Sequence, residues 1–153
     1  MNISIEELSK PNANILATVL NTDSKLIEKL GSSISGNESG ESFLTRYNEW
    51  QKNTNSSTFT IKKENEVVGL ISLSHKNINL KKARIGYWIC SKEWKKGICS
   101  IAFDKILELG KKEGYKIFEA NIPKGNIASI KIWIKNGAEL IDNDTHFIAK
   151  ITI

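Results

Sequence analysis

The residues best placed to do chemistry are Trp94-Lys95-Lys96-Gly97-Ile98-Cys99-Ser100, a basic loop with one glycine that opens into an amphipathic run. It follows the strand-like Arg84-Ile85-Gly86-Tyr87-Trp88-Ile89-Cys90. A helix start offers unpaired N–H groups and a positive dipole end, so strand, loop and helix in that order can hold an anion. A glycine lets backbone amides come close to a phosphate without a side chain in the way. Lys92, Lys95 and Lys96 add charge suited to a polyanionic ligand. Many helices begin after a glycine with no ligand present, so the loop by itself leaves simple capping and anion binding both open.

Other reactive side chains are sparse. Cys90 and Cys99 are the only cysteines, without a C-x-x-C spacing, and they do not make a disulfide framework. His75 and His146 lie far apart with no ligand-spaced partners, so no metal site is expected.

The elements that must position the loop are legible mainly after Thr58. Phe59 and Ile61 alternate with polar residues as a half-buried strand, Lys63 to Glu66 make a turn, and Val67 to Leu73 return as a more buried strand. His75 to Lys82 reads as a polar connection and Ala83 to Cys90 as a third strand. A helix is expected from Ile98, with Ile98, Ile101, Ala102, Ile106 and Leu109 on one face and Gly114 as its stop. Lys116 to Ile122 reads as a strand, Ile127 to Lys135 as a second helix capped by Asn136-Gly137, and Glu139 to Ile153 as a closing hairpin turning at Asn143-Asp144. Ahead of Thr58, Ile3 and Ile5 fit a first strand. Ile15–Leu20, Leu26–Leu30 and Phe43–Trp50 fit short helical pieces broken by Pro11, Gly31, Gly36 and Gly40, and Gly31–Glu41 fits a flexible loop. This order predicts an α/β fold, a central twisted mixed sheet flanked by helices, in one domain over 1–153.

Bulk properties agree. The chain has 153 residues, 40% hydrophobic and 25% charged, which suits one globular core. A net charge of +5 is spread among interleaved lysines and glutamates, which argues against nucleic acid as the partner. The acidic residues near Met1 do not suit a signal peptide, and no run is long and apolar enough for a bilayer, so a cytoplasmic location is expected.

Three pieces coincide in order: Gly86-Tyr87-Trp88, the W-x-x-G-I loop from Trp94, and Asn126-Ile127-Ala128-Ser129 opening a helix that ends Lys135-Asn136-Gly137. Over about half the chain, Val67 to Leu140, this resembles the GNAT superfamily of N-acetyltransferases, in the branch with the ribosomal-protein N-terminal acetyltransferases. The resemblance implies acetyl-CoA as donor and an amine as acceptor. The pyrophosphate would lie on Lys95, Lys96, Gly97, Ile98, Cys99 and Ser100. A bulged strand end at Trp88-Ile89-Cys90 would bind pantetheine and polarise the thioester carbonyl. Asn126 would contact the coenzyme, and Ser129 would protonate the leaving thiolate.

The pattern also departs from that family. Lys95 replaces a glycine, Cys99 an alanine or glycine, and Ala138 a phenylalanine. Lys95 is tolerated there if its φ is negative, and Cys99 reads as a small buried residue rather than a nucleophile. Trp133 stands where many members have an acid tyrosine, and Lys82-Ala83-Arg84 where related sequences carry a glutamate. An arginine cannot serve as a base. Glu119 and His75 are the base candidates by position, each against a plainer reading as an ion-pair or loop residue.

An α-amino group near pKa ~7.8 is roughly a quarter neutral at pH 7.4, whereas a lysine near ~10.4 is about one part in a thousand neutral. A site without a strong base therefore suits a peptide N-terminus, an amino acid or another low-pKa amine. The alternative is a coenzyme A-binding module with little catalysis. Phe43, Tyr47 and Trp50 are either core or acceptor-pocket residues, and both a monomer and a homodimer are open.

Overall fold

The computed structural model describes residues 1–31 and 36–153. Seven strands form one sheet: β1 Ile3–Glu7, β2 Ser57–Lys63, β3 Glu66–Asn77, β4 Lys82–Ile89, β5 Ile117–Pro123, β6 Glu139–Asn143 and β7 His146–Thr152. Their order across the sheet is β1-β2-β3-β4-β5-β7-β6. Every neighbouring pair is antiparallel except β4 and β5. The helices are α1 Lys10–Thr22, α2 Ser24–Leu30, α3 Gly40–Thr54, α4 Ile98–Lys112 and α5 Ile127–Lys135. Helix α4 is the crossover that a parallel β4–β5 pair requires.

Alternation along the strands sorts side chains onto two faces. On the first, Val68, Ile71, Leu73, Ala83, Ile85 and Phe118 pack with Phe103, Ile106 and Trp133 of α4 and α5. On the second, Val67 and Leu70 pack with Leu16, Leu20 and Phe43 of α1 and α3. The close contact of α4 with β5 depends on Gly110, where a Cβ would stand 2.5 Å from Phe118 Cε1.

The first third differs most from the sequence expectation. Pro11 does not break a helix; it sits in the first turn of α1, where its missing N–H is harmless, and Ser9 caps the end through the Asn12 N–H. Gly40 begins α3 behind the Ser39 cap instead of lying in a loop. Residues 32–35, in the middle of the expected Gly31–Glu41 loop, lie outside the described residues. Strand β3 runs on to Asn77, through part of the expected polar connection.

Candidate active site

The site is a cleft made by strands that part. β4 and β5 pair only through Lys82–Arg84 and Ile117–Glu119. β4 keeps its register with β3 from Arg84 to Ile89, so it carries no bulge of its own there. The expected bulge at Trp88–Cys90 is thus absent; the register shifts lie instead between Ser74 and Asn77 in the β3–β4 pair and between Ile61 and Lys62 in the β2–β3 pair. What frees β4 backbone is instead the departure of β5.

Which groups are freed follows from parity. The Cys90 N–H donates to Val68 O at 2.8 Å, so in an antiparallel ladder Trp88 and Gly86 also turn their amides toward β3. The backbone groups of Tyr87 and Ile89 point the other way, into the gap. The Ile89 carbonyl accepts the Trp94 indole N–H at 3.0 Å, which leaves the Ile89 N–H and the Tyr87 backbone facing the cleft.

A single 3₁₀ turn, Ser91–Glu93, and the loop Trp94–Gly97 then lead into α4. Two features set the loop's shape. Asp23, which caps α2, accepts hydrogen bonds from the Ser91 N–H and Oγ, both at 2.7 Å, and so ties the α1–α2 junction to the loop. Burial opposes ionisation of Asp23, but the hydrogen bonds from Ser91 and Leu26 outweigh it and hold the carboxyl below its usual range. Glu93 is buried and takes Lys63 at 3.0 Å and Lys96 at 3.2 Å, contacts that keep its carboxyl low.

Helix α4 begins without a side-chain cap. Gly97, with φ 80°, has no atom within 4 Å of a Cβ position. Among the described residues, no acceptor takes the N–H of Lys95, Lys96, Gly97, Ile98, Cys99 or Ser100. Unpaired N–H groups at a glycine-opened helix start are what a phosphate needs, so the residues present fit a pyrophosphate. Lys95 departs from expectation: its φ is 64°, the left-handed conformation that favours the glycine it replaces. Lys92 is drawn off toward Glu66 at 3.1 Å, while Lys135 of α5 reaches Ser100 Oγ at 3.3 Å and brings a further cation to the helix start.

Across the cleft, Asn126 caps α5 by accepting the Ser129 N–H at 3.3 Å. Ser129 Oγ lies 2.7 Å from the Tyr87 hydroxyl. Burial drives that hydroxyl up to about 12, against weaker hydrogen bonding from Ser129 and Trp133, so it stays protonated at any working pH. Trp133 is buried against Phe103, ring centroids 5.0 Å apart, as a core residue. The Cys99 thiol is pushed up to about 11 by burial, and burial raises Cys90 as well, so neither is a thiolate at neutral pH.

The sequence-chosen residues do not all meet. Ser129 meets Tyr87 of β4 and Asn126 caps the helix that carries it, whereas the Trp88 side chain packs on the second face with the α1–α3 cluster. Glu119 is on the second face and ion-paired to Lys82 at 2.8 Å. His75 lies beyond Ser74, the partner of Arg84 at the closed end of the split; its ring packs edge-on to Trp50 and its Nδ1 is 3.0 Å from Ser74 Oγ. Phe43 is fully buried, as a core residue. Tyr87 and Asp23 were not singled out from sequence. Tyr87 was within reach, since it alternates with Ile85 and Ile89 on the α4 side; the Asp23–Ser91 tie, 68 residues apart, left no local signal.

Residues 8–139 match the family model described as an acetyltransferase (GNAT) domain. The chain belongs to the GNAT acetyltransferase family. It is thus an acyltransferase by family, and solved structures share its fold. RimJ of Mycobacterium smegmatis, in complex with CoA-disulfide, aligns at 18% identity and TM-score 0.83 over 98% of this chain and 81% of its own. The PaiA N-acetyltransferase of Thermoplasma acidophilum, in complex with coenzyme A, aligns at 20% identity and TM-score 0.77 over 100% of both chains. The microcin C7 self-immunity acetyltransferase MccE, in complex with acetyl-CoA and AMP, aligns at 18% and TM-score 0.83 over 99% and 92%. A comparison with curated protein sequences finds no match. No helix among the described residues is long and apolar enough to cross a membrane.

Proposed function

We propose that this GNAT protein moves an acetyl group from acetyl-CoA to a primary amine of low pKa, with a peptide N-terminus the best-suited acceptor. One observation carries the reading: the uncapped start of α4 and the freed edge of β4 open into the same cleft. The coenzyme would supply the activated acyl thioester.

The amides of Lys95 to Ser100, with the Lys135 side chain, bind the pyrophosphate; the edge of β4 at Tyr87 and Ile89 pairs with the pantetheine amides. The Ile89 N–H donates to the carbonyl oxygen as negative charge gathers there during amine attack. Tyr87, held protonated, donates to Ser129 Oγ, which turns the serine hydrogen toward the departing sulfur. Ser129 thereby stabilises the thiolate, and the proton lost by the attacking nitrogen ends on the thiol or in solvent. Asn126 fixes the turn that carries Ser129.

A dedicated base is not needed for such an acceptor. Glu119 is engaged by Lys82 and His75 sits at the closed end, so the amine arrives neutral in a fraction set by its own pKa.

Isothermal titration with acetyl-CoA and coenzyme A, beside Gly97→Trp, tests the site. Micromolar binding lost in the variant, followed by thiol release with peptide amines, is the expected outcome. A folded protein that binds neither ligand at millimolar concentration would refute it.

A further inference from the structure

We infer that the acceptor mouth selects an amine whose chain carries an anionic group several bonds from the reacting nitrogen, such as a peptide N-terminus followed by acidic residues. The inference rests on the acetyl-transfer reading for the location of the reacting nitrogen, and otherwise on the second face of the sheet. The first face of the split is filled: α4 and α5 cover it, and Tyr87 and Ser129 close it with their 2.7 Å contact. An acceptor must therefore come from the second face. There α1 and α3 cover β2 and β3, while β5, β7 and β6 lie open, with Asn121 exposed and Ile141 43% exposed.

The charges around that opening do not balance. Alternation and register put Lys82 and Arg84 of β4, Glu119 of β5, Lys150 of β7 and Glu139 of β6 on this face. Glu119 is taken by Lys82 at 2.8 Å, and Glu139 stands directly across from Lys150. Arg84 is exposed, and among the described residues no carboxylate lies within ion-pair distance of it. It stands where β4 and β5 part, at the last residue of their pairing. Beyond it β4 presents Gly86, which adds no bulk to this face, since the only atom near a Cβ there is Ser72 Oγ at 3.6 Å.

Distance then sets the ligand. Five residues of β4, about 16 Å, separate Arg84 from Ile89, whose N–H faces the reacting carbonyl. An extended arginine side chain covers less than half of that span. The α-carboxylate of a free amino acid is too close to its own amine to bridge the rest, whereas a side-chain carboxylate at the second or third residue of an extended peptide has the reach. A guanidinium holds a carboxylate in bidentate fashion, which gives the contact direction as well as charge. A polyamine would meet like charge at the same place.

The test uses the whole protein with coenzyme A present. Three C-terminally amidated pentapeptides begin with alanine and differ only in having glutamate, glutamine or lysine at the second and third positions. Their affinities are read by isothermal titration for the wild type, Arg84→Gln and Arg84→Glu, with acetyl-CoA-dependent thiol release recorded in parallel. The glutamate peptide should bind at least tenfold tighter than the lysine peptide. Arg84→Gln should level the difference and Arg84→Glu reverse it, with coenzyme affinity unchanged in both. Equal affinities in the wild type, a preference for lysine, a difference that survives Arg84→Glu, or no peptide binding at millimolar concentration would each overturn the inference. Charge-selective binding without thiol release would leave it standing and remove the acetyl-transfer reading. Thiol release without charge preference would do the opposite.

Discussion

Removing the hydroxyl of Tyr87 or of Ser129 gives the sharpest check on the proposed chemistry, because the two are joined by one 2.7 Å contact and only Ser129 is assigned to the leaving sulfur. Removing one hydrogen-bond donor aimed at developing charge costs about 10²–10³ in rate, so Ser129→Ala should lower kcat about a hundredfold. Tyr87→Phe removes one buried neutral hydrogen bond, worth about 0.5–1.5 kcal/mol, which converts to a loss of about two- to twelvefold. Because Tyr87 works through Ser129, the double variant should be no slower than Ser129→Ala alone. The Tyr87 hydroxyl remains protonated up to about 12, so the ratio of Tyr87→Phe to wild-type rate should be flat from about pH 6 to about pH 10. The assay is thiol release at saturating acetyl-CoA, with coenzyme affinity measured by titration and expected to be unchanged. Ser129→Ala within twofold of wild type, or a double variant slowed by the product of the single effects, would refute the relay.

Other perturbations address the fold and the remaining residues. Asp23→Ala removes two hydrogen bonds to Ser91 and the cap of α2, and should cost about 2 kcal/mol, read as a lower denaturation midpoint. The folded Asp23 carboxyl is lowered, so its contribution is present above its unfolded value of 3.8 and is lost as pH falls through the lower folded value; the wild-type advantage over Asp23→Asn should shrink below about pH 4. Gly110→Ala places a methyl 2.5 Å from Phe118 and should destabilise by about 1–3 kcal/mol in a denaturant titration. Glu119→Gln and His75→Ala should each leave kcat within about threefold of wild type, with kcat/KM tracking the acceptor's own amine pKa; a tenfold loss in either would identify it as the missing base.

The second half of the fold was legible because its signals are local. The helical spacing of Ile98, Ala102 and Ile106, the Gly114 stop and the Asn143-Asp144 turn each depend on neighbours a few residues away. The first third was read as fragments because Pro11 and Gly40, usual breakers, occupy helix starts where they do no harm. The Lys95–Ser100 loop was visible as a composition; its uncapped N–H groups were implied by the same sequence. The parting of β4 from β5 was not, because it depends on where β5 leaves the sheet rather than on any residue of β4. Glu119 is kept from Ser129 by alternation, which puts it on the second face, and His75 by its place beyond Ser74 at the closed end of the split.

The parted strands leave backbone donors and acceptors that no other strand satisfies in the middle of the sheet. A pantetheine lying there would act as a missing strand, and the folded state would then gain from occupancy as well as the reaction. At a hundredfold excess over its dissociation constant, a ligand that binds only the folded chain adds about 2.7 kcal/mol to stability. The half-life of this protein against unfolding and proteolysis would then follow the total pool of coenzyme A and its thioesters, because all of them carry the same pantetheine arm.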